Sequence, residues 1–168
     1  LSKELLTAIK KLGFVKPTEV QSLSIPHILA GEDILAESAT GSGKTLAFGC
    51  GILDRVVERQ GLQMLVLTPT RELAEQVKDH LIQFLDRRPL RIISVYGGVS
   101  FDQQVHALTK AEVVVATPGR FLDHLNRRMV KVSNIRYLVI DEADRMFDMG
   151  FIDDVEKIIR VCPHERQT

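Results

Sequence analysis

Short apolar runs alternate with stretches of helical periodicity along this chain of 168 residues. The runs are rich in β-branched residues and show no alternation of apolar and polar positions, as is typical of strands buried on both faces of a sheet. The pattern predicts one α/β domain, residues 1–168, with a mostly parallel central sheet and helices on both of its faces. The predicted strands, with helices of about ten to fifteen residues between them, are Ile34–Ala36, Met64–Thr68, Arg91–Val95, Val113–Ala116 and Tyr137–Ile140.

Two helices are predicted ahead of the first strand. The first has Ser2 as its expected cap and ends at Gly13. The second is predicted to begin near Thr18 and to end before Gly31, with a distortion at Pro26, because proline removes a helix hydrogen bond. The apolar positions at helical spacing in the first helix are Leu5, Leu6, Ile9 and Leu12.

A third helix, predicted over residues 44–58, contains Gly49 and Gly51. Each glycine inside a helix costs roughly 1 kcal/mol relative to alanine. Close packing of this helix on the sheet is the expected compensation.

The composition is that of a globular protein, with 45% hydrophobic and 26% charged residues. The 22 basic and 22 acidic side chains cancel, which argues mildly against a nucleic-acid binder. The charges are separated, however: residues 141–156 hold seven acidic and one basic side chain, and residues 110–136 hold six basic and two acidic ones. Together with Arg87, Arg88 and Arg91, such patches could bind phosphate locally, although ordinary solvated faces give the same pattern.

Cys50 and Cys162 form no Cys-x-x-Cys pair, and we expect reduced thiols rather than a disulfide or a zinc site. No apolar run approaches the roughly 18 residues of a membrane span, and no signal-peptide pattern is visible. We therefore expect an intracellular protein without membrane contact, located in the cytoplasm or, in a eukaryote, in the nucleus or nucleolus.

The segment from Ser38 to Thr45 predicts a phosphate-binding loop, because it follows a predicted strand and opens a predicted helix. Its glycines let backbone amides point into one concavity, where the helix amino terminus adds positive potential. Lys44 would contact the β- and γ-phosphates, and the Thr45 hydroxyl would ligate Mg²⁺. A glycine-rich turn with a helix cap is the plainer alternative, and the strict pattern has glycine where Ser38 stands. The loop residues are Ser38, Ala39, Thr40, Gly41, Ser42, Gly43, Lys44 and Thr45.

An acidic tetrapeptide, Asp141-Glu-Ala-Asp144, follows the last predicted strand. Open α/β sheets bind ligands at the carboxyl ends of their strands. Asp141 is therefore the expected partner of Mg²⁺, and Glu142 could orient the attacking water or accept its proton. An acidic helix start would look the same, and both interpretations can hold at once.

With these two motifs together, the sequence resembles the DEAD-box ATP-dependent RNA helicase family over nearly its whole length. Phe14, Pro17, Thr18 and Gln21 match the Q motif of that family. The resemblance implies a RecA-like domain that binds ATP or ADP, with Gln21 on the adenine edge. Glutamine can bond bidentately to adenine. It also implies that Phe14, Lys16 and Thr18 lie beside the nucleotide.

Three further motifs of the family follow successive predicted strands. The resemblance implies that they contact one RNA strand through its phosphates and sugars, so that binding is independent of sequence. Helix amino termini, exposed glycine amides and arginine side chains are suited to phosphate. The residues are Pro69, Thr70 and Arg71 of motif Ia, Gly97 and Gly98 of the GG element, and Thr117, Pro118, Gly119 and Arg120 of motif Ib.

The resemblance also implies parts that these residues do not include. Relatives have an adenine-packing aromatic upstream of the Q motif, a Ser-Ala-Thr motif shortly after the position of Thr168, and a second RecA-like domain. Asp144 is expected to take part in coupling to that domain, and Gly51 stands where many relatives have proline. We expect a monomeric fragment that binds nucleotide weakly and hydrolyses it negligibly.

The predicted function is therefore the nucleotide-binding half of an ATP-dependent RNA helicase that uses ATP and Mg²⁺. An ATP-gated RNA clamp or a factor that remodels RNA–protein complexes would use the same motifs. A P-loop nucleotide kinase would also need an arginine-rich lid and an acceptor site, which are not apparent. DNA helicases of the wider superfamily fit Gln21 and Asp144 less well.

Overall fold

Four parallel strands form the central sheet, in the spatial order β2-β3-β1-β4. The computed structural model describes residues 1–86 and 88–168, so Arg87 of the predicted basic group lies outside the described residues. The fold class predicted from the sequence is confirmed. The strands are β1 (Met64–Leu67), β2 (Ile92–Val95), β3 (Val113–Ala116) and β4 (Tyr137–Ile140).

Successive residues of each strand belong to opposite faces of the sheet. Met64 and Val66 join one apolar cluster, whereas Leu65 and Leu67 join the other. All four side chains of β1 are 0% exposed. Both faces are therefore covered, which explains why the strands read as continuous apolar runs.

Eight helices are described, four on each face of the sheet. Helices α1 to α4 contribute to the cluster that contains Met64, and α5 to α8 to the cluster that contains Leu65. Three of them, α5, α6 and α7, are shorter than predicted, with 8, 9 and 6 residues. The helices are α1 (Lys3–Lys11), α2 (Glu19–Ala30), α3 (Lys44–Leu53), α4 (Arg71–Gln83), α5 (Phe101–Leu108), α6 (Pro118–Asn126), α7 (Ala143–Asp148) and α8 (Ile152–Val161).

The predicted ends of the first helix are confirmed. The Ser2 Oγ accepts a hydrogen bond from the backbone N–H of Leu5 at 3.1 Å. Gly13 follows the carboxyl cap with φ of 82°, a left-handed conformation that ends helices and favours glycine. Helix α2 continues through Pro26 as one element.

The predicted strand Ile34–Ala36 is wrong, since the structure has no strand there. The Ile34 N–H donates to the Thr168 carbonyl at 3.0 Å, and Leu35 is fully exposed. One backbone hydrogen bond is too few to form a β-ladder, so the apolar residues of this segment do not form a strand.

Helix α3 ends at Leu53, five residues before the predicted end. The Arg88 guanidinium donates to the carbonyls of Leu53 at 2.5 Å and Val56 at 2.7 Å. Because a side chain supplies these donors, the carbonyls are satisfied without a further helical turn. Arg88, part of the predicted phosphate-binding group, therefore has a structural partner.

The glycines of α3 are needed for packing against helices, not against the sheet as predicted. A Cβ on Gly49 would lie 2.9 Å from Leu81 Cδ2 of α4. A Cβ on Gly51 would lie 2.2 Å from Ile28 Cγ2 of α2. Such distances are too short for real carbon atoms, so glycine lets the three helices approach closely.

Both cysteines are free and buried. Burial raises the pKa of Cys50 to about 12 and also raises the pKa of Cys162. None of the helices in the described ranges is long and apolar enough to cross a membrane.

Gly51→Ala should lower the free energy of unfolding by about 1–3 kcal/mol, because the added methyl overpacks the contact with Ile28. Urea unfolding monitored by circular dichroism measures the loss. Gly119→Ala is the matched control, since a Cβ there would lie 3.8 Å from its nearest neighbour, Asp154 Oδ2. Ile28→Ala combined with Gly51→Ala should cost less than the sum of the single changes; additive losses would contradict the close approach.

Candidate functional site

A cavity of about 670 Å³ opens beside the carboxyl end of β4. Its walls come from the segment between α1 and α2, the first turn of α2, the loop before α3 with the start of α3, one face of α4 along its length, and the residues after β4. The tertiary structure thus brings together residues that lie more than a hundred positions apart in sequence. The predicted site residues that line it are Phe14, Gln21, Thr40, Gly41, Gly43, Lys44, Thr45, Thr70, Asp141 and Glu142.

The loop before α3 is folded around the ammonium group of Lys44. The Lys44 Nζ donates to the carbonyl oxygens of Ser38 at 2.7 Å and Ala39 at 3.2 Å. The Ser38 and Ser42 hydroxyls bond to each other at 2.8 Å across the loop. Gly41 and Gly43 have φ of 79° and 95°, which lets the backbone turn tightly. An entering anion would compete with these two neutral carbonyl acceptors for the lysine.

Gln21 connects the segment before α2 to this loop. It is only 4% exposed, so it is not an ordinary surface residue of a helix. Its Oε1 accepts from the Thr18 N–H at 3.0 Å, and its Nε2 donates to the Gly43 carbonyl at 3.1 Å. A Cβ on Gly43 would lie 2.2 Å from this Nε2, so only glycine fits. The predicted bond to adenine would have to use the second lone pair and second hydrogen of the amide.

Phe14 and Lys16 lie at the mouth of a neighbouring cavity of about 380 Å³, which also contacts Gln21. Thr18 lies close to the loop, with its Oγ1 3.3 Å from the position of a Cβ on Gly43. Phe14 thus lines both cavities, whereas Lys16 lines only the smaller one.

Asp141 is buried at the end of β4, with its N–H bonded to the Leu67 carbonyl at 2.9 Å. Burial raises the pKa of Asp141, the adjacent Glu142 raises it further, and Lys44 partly opposes them. A bound cation would favour the ionised carboxylate in such a position.

Glu142 has a left-handed backbone, with φ of 53° and ψ of 51°. This conformation is uncommon outside glycine and costs energy that the surrounding structure must offset. The Glu142 carboxylate accepts from Arg145 Nη1 at 3.2 Å. Arg145 also lines the cavity, although sequence reasoning did not single it out. Asp144 is exposed in the first turn of α7 and is not part of the cavity wall.

The donor groups fit a magnesium ion held jointly with phosphate. Thr45 and Asp141 line the same cavity, and no cluster of three His, Cys, Asp or Glu occurs among residues 1–86 and 88–168. Mg²⁺ usually takes one or two protein carboxylates and completes its octahedron with phosphate oxygens and water.

The three other predicted motifs form a second surface. They follow β1, β2 and β3, which are neighbours in the sheet, so their residues lie side by side. The Arg71 guanidinium lies 5.7 Å from the ring centre of Tyr96 and approaches Gly98. Arg120 Nη1 donates to the Val99 carbonyl at 3.0 Å. Both arginines thus contact the loop after β2.

Glu75 and Tyr96 belong to a hydrogen-bond network that supports this surface. The sequence analysis did not identify either residue. Glu75 accepts from Lys78 Nζ at 2.5 Å and from the Ser94 hydroxyl. Burial alone would raise the pKa of Glu75, but hydrogen bonds from Lys78, Ser94 and Tyr96 lower it. Burial, followed by the contact with Glu75, raises the pKa of Tyr96. No local motif signals this network, because its members lie on α4, on β2 and in the loop after β2.

Two curated proteins are similar in sequence to this chain. RNA helicase CrhR of Synechocystis is 46% identical over 100% of this chain and 34% of its own length. A probable ATP-dependent RNA helicase of Methanocaldococcus jannaschii is 45% identical over 99% of this chain and 46% of its own length. The chain thus spans between a third and a half of the length of these curated relatives.

Two solved structures share the fold. The crystal structure of a DEAD box protein from Methanococcus jannaschii matches with a TM-score of 0.97 at 45% identity, covering 99% of this chain and 46% of that one. A hypothetical ATP-dependent RNA helicase from Sulfolobus tokodaii matches with a TM-score of 0.91 at 39% identity, covering 99% and 49%. The model of the DEAD/DEAH box helicase family matches residues 18–168. The chain therefore belongs to the DEAD/DEAH box helicase family.

Proposed function

We propose that this chain is the nucleotide-binding domain of an ATP-dependent RNA helicase, in which ATP hydrolysis is coupled to RNA binding and local duplex unwinding. The observation that carries the proposal is the convergence of Gln21, Lys44, Thr45, Asp141 and Glu142 on one cavity. The relatives named as RNA helicases support it.

Nucleotide binding would exchange contacts within the chain for contacts with ATP. The Lys44 ammonium would leave the carbonyls of Ser38 and Ala39 and bind phosphate oxygens, which carry full negative charge. Amides at the start of α3 would add donors and a favourable dipole. Gln21 would bind the adenine edge while it keeps its bond to Gly43, which links base recognition to the shape of the phosphate loop.

Hydrolysis would depend on the two acidic residues after β4. Thr45 and Asp141 would hold Mg²⁺, which would neutralise charge on the phosphates. Glu142 would orient the attacking water and accept its proton. Its left-handed backbone and its bond to Arg145 hold the carboxylate at the cavity wall before any ligand binds.

RNA binding would use the surface that follows β1, β2 and β3. Amides at the start of α4 and α6, with exposed Gly97 and Gly98, are donors for phosphate oxygens. Arg71 and Arg120 add two positive charges from opposite sides of the loop after β2. These groups bind backbone and not bases, so affinity would vary little with RNA sequence.

Coupling would require a second domain, which the longer relatives have room for. Closure of two domains around ATP and RNA would complete the catalytic site, and hydrolysis would reopen it. Asp144, exposed at the start of α7, is available to such a partner.

Lys44→Ala should lower the affinity of this chain for ATP by at least about tenfold, because the charged contact to phosphate is lost. Fluorescence titration with a labelled ATP analogue measures the change. Lys3→Ala removes an equal charge from exposed α1 and should bind like wild type. Unchanged binding by Lys44→Ala would refute the assignment of the loop.

Glu142→Gln in the intact protein should retain ATP and RNA binding but lower turnover by about 10²–10⁴-fold, since glutamine cannot accept a proton. Phosphate release in the presence of RNA measures turnover. Glu156→Gln, at an exposed position of α8, is the matched control. Normal hydrolysis by Glu142→Gln would exclude Glu142 as the base.

Arg71→Ala and Arg120→Ala should each weaken RNA binding by the intact protein equally for unrelated sequences. Each should also lower the slope of log affinity against log salt by about 1. Anisotropy titrations with two labelled oligonucleotides, at several salt concentrations, measure both effects. Arg160→Ala on α8 serves as control. A loss confined to one sequence would contradict backbone binding.

A further inference from the structure

Two polar side chains close to Arg120 are buried, namely Gln104 of α5 and His124 of α6. They are 7% and 0% exposed, and neither belongs to the motifs discussed above. Burying polar groups is unfavourable unless they find hydrogen-bond partners, so their partners indicate what they do.

Only one orientation of the Gln104 amide matches the hydrogen-bond donors and acceptors around it. Its Nε2 donates to the Tyr96 carbonyl at 2.9 Å, and a carbonyl can only accept. Its Oε1 therefore faces α6, where Arg120 Nη1 lies at 3.1 Å and His124 Nε2 at 3.0 Å. Since Oε1 can only accept, the hydrogen of neutral His124 is on Nε2.

The His124 ring is held in place on its other sides. It stacks on the Phe101 ring, with 4.1 Å between ring centres and 17° between planes. Its buried Nδ1 has no hydrogen-bond partner in the described part of the chain. Burial lowers the pKa of His124, nearby Arg120 and Arg127 lower it further, and Asp123 opposes them. A neutral His124 therefore donates its Nε2 hydrogen to Gln104 Oε1.

Arg120 is held along one edge by these contacts. Its Nη1 is bonded both to Gln104 Oε1 and to the Val99 carbonyl. Within residues 1–86 and 88–168, its Nη2 and Nε make no hydrogen bond, and the side chain is partly exposed. A guanidinium that is already oriented loses less conformational entropy when it binds phosphate.

Gln104 is connected to the other predicted RNA-binding arginine, Arg71, only through Tyr96. It bonds to the backbone of Tyr96, whose ring lies beneath Arg71 at 5.7 Å. One side chain thus contacts α6, which carries Arg120, and the loop after β2, which Arg71 contacts from α4.

We propose that Gln104 is a positioning residue for RNA binding: it orients Arg120 and the loop after β2 toward one RNA strand, and His124 holds Gln104 in that orientation. The proposal rests on the RNA-binding role proposed above for Arg120. It adds a residue that does not itself touch RNA.

Gln104→Met in the intact protein tests the proposal, because methionine has a similar shape but accepts no strong hydrogen bond. RNA affinity should fall about tenfold while ATP affinity changes little, and the thermal unfolding midpoint should fall as well because the buried His124 Nε2–H loses its acceptor. Gln103→Met, on the exposed side of the same helix, is the matched control and should bind RNA like wild type. His124→Phe keeps the stacking on Phe101 but removes the donor, and it should also weaken RNA binding; it provides the test if Gln104→Met does not fold.

A double-mutant cycle with Arg120→Ala distinguishes positioning from a merely structural role. If Gln104 acts through Arg120, Gln104→Met should cause little further loss of RNA affinity once Arg120 is alanine. Additive losses would overturn the positioning role, as would normal RNA binding by both Gln104→Met and His124→Phe when Arg120→Ala binds weakly. Normal binding by Arg120→Ala would overturn this proposal together with the RNA-binding role of Arg120.

Discussion

The parallel pairing of β1 with β3 on one side and β4 on the other is the constraint on which the rest of the structure depends. Parallel strands end at the same edge of a sheet, so the segments that follow them are brought together whatever their separation in sequence. Asp141 after β4 and Thr70 after β1 therefore border one cavity. The segments after β1, β2 and β3 form one continuous surface for the same reason.

Close approach between helices places the phosphate loop against this edge. Helix α3 packs on α2 and α4 at distances that exclude a Cβ at Gly49 and Gly51. The same helix begins at Lys44, and Gln21 of α2 bonds to Gly43 just before it. Packing and ligand recognition are thus connected, because a shift of α2 relative to α3 would move the glutamine and the loop together.

The two candidate surfaces differ in how their charged groups are held before a ligand binds. Lys44 bonds to carbonyls of its own loop, contacts that a phosphate can replace. Arg71 lies against the Tyr96 ring with its Nε 3.8 Å from Glu72 Oε1, and Arg120 is held by Gln104 and the Val99 carbonyl. The proposed nucleotide site must therefore exchange hydrogen bonds when a phosphate binds, whereas the arginines of the proposed RNA surface are already held by their neighbours.

The sequence by itself determined the order of elements, the buried parallel sheet, the phosphate loop and the acidic residues after β4, because these depend on local periodicity and on neighbouring residues. Only the tertiary structure decided that Ile34–Ala36 forms no ladder, that Arg88 ends α3, and that Gln104 bonds to Arg120, His124 and Tyr96. Each of these depends on partners distant in the chain, on another strand or helix, and local pattern carries no information about which distant groups will meet. The glycines of α3 illustrate this division. The sequence indicated that the cost of two glycines inside a helix had to be offset, and the fold determined that close packing against Ile28 and Leu81 offsets it.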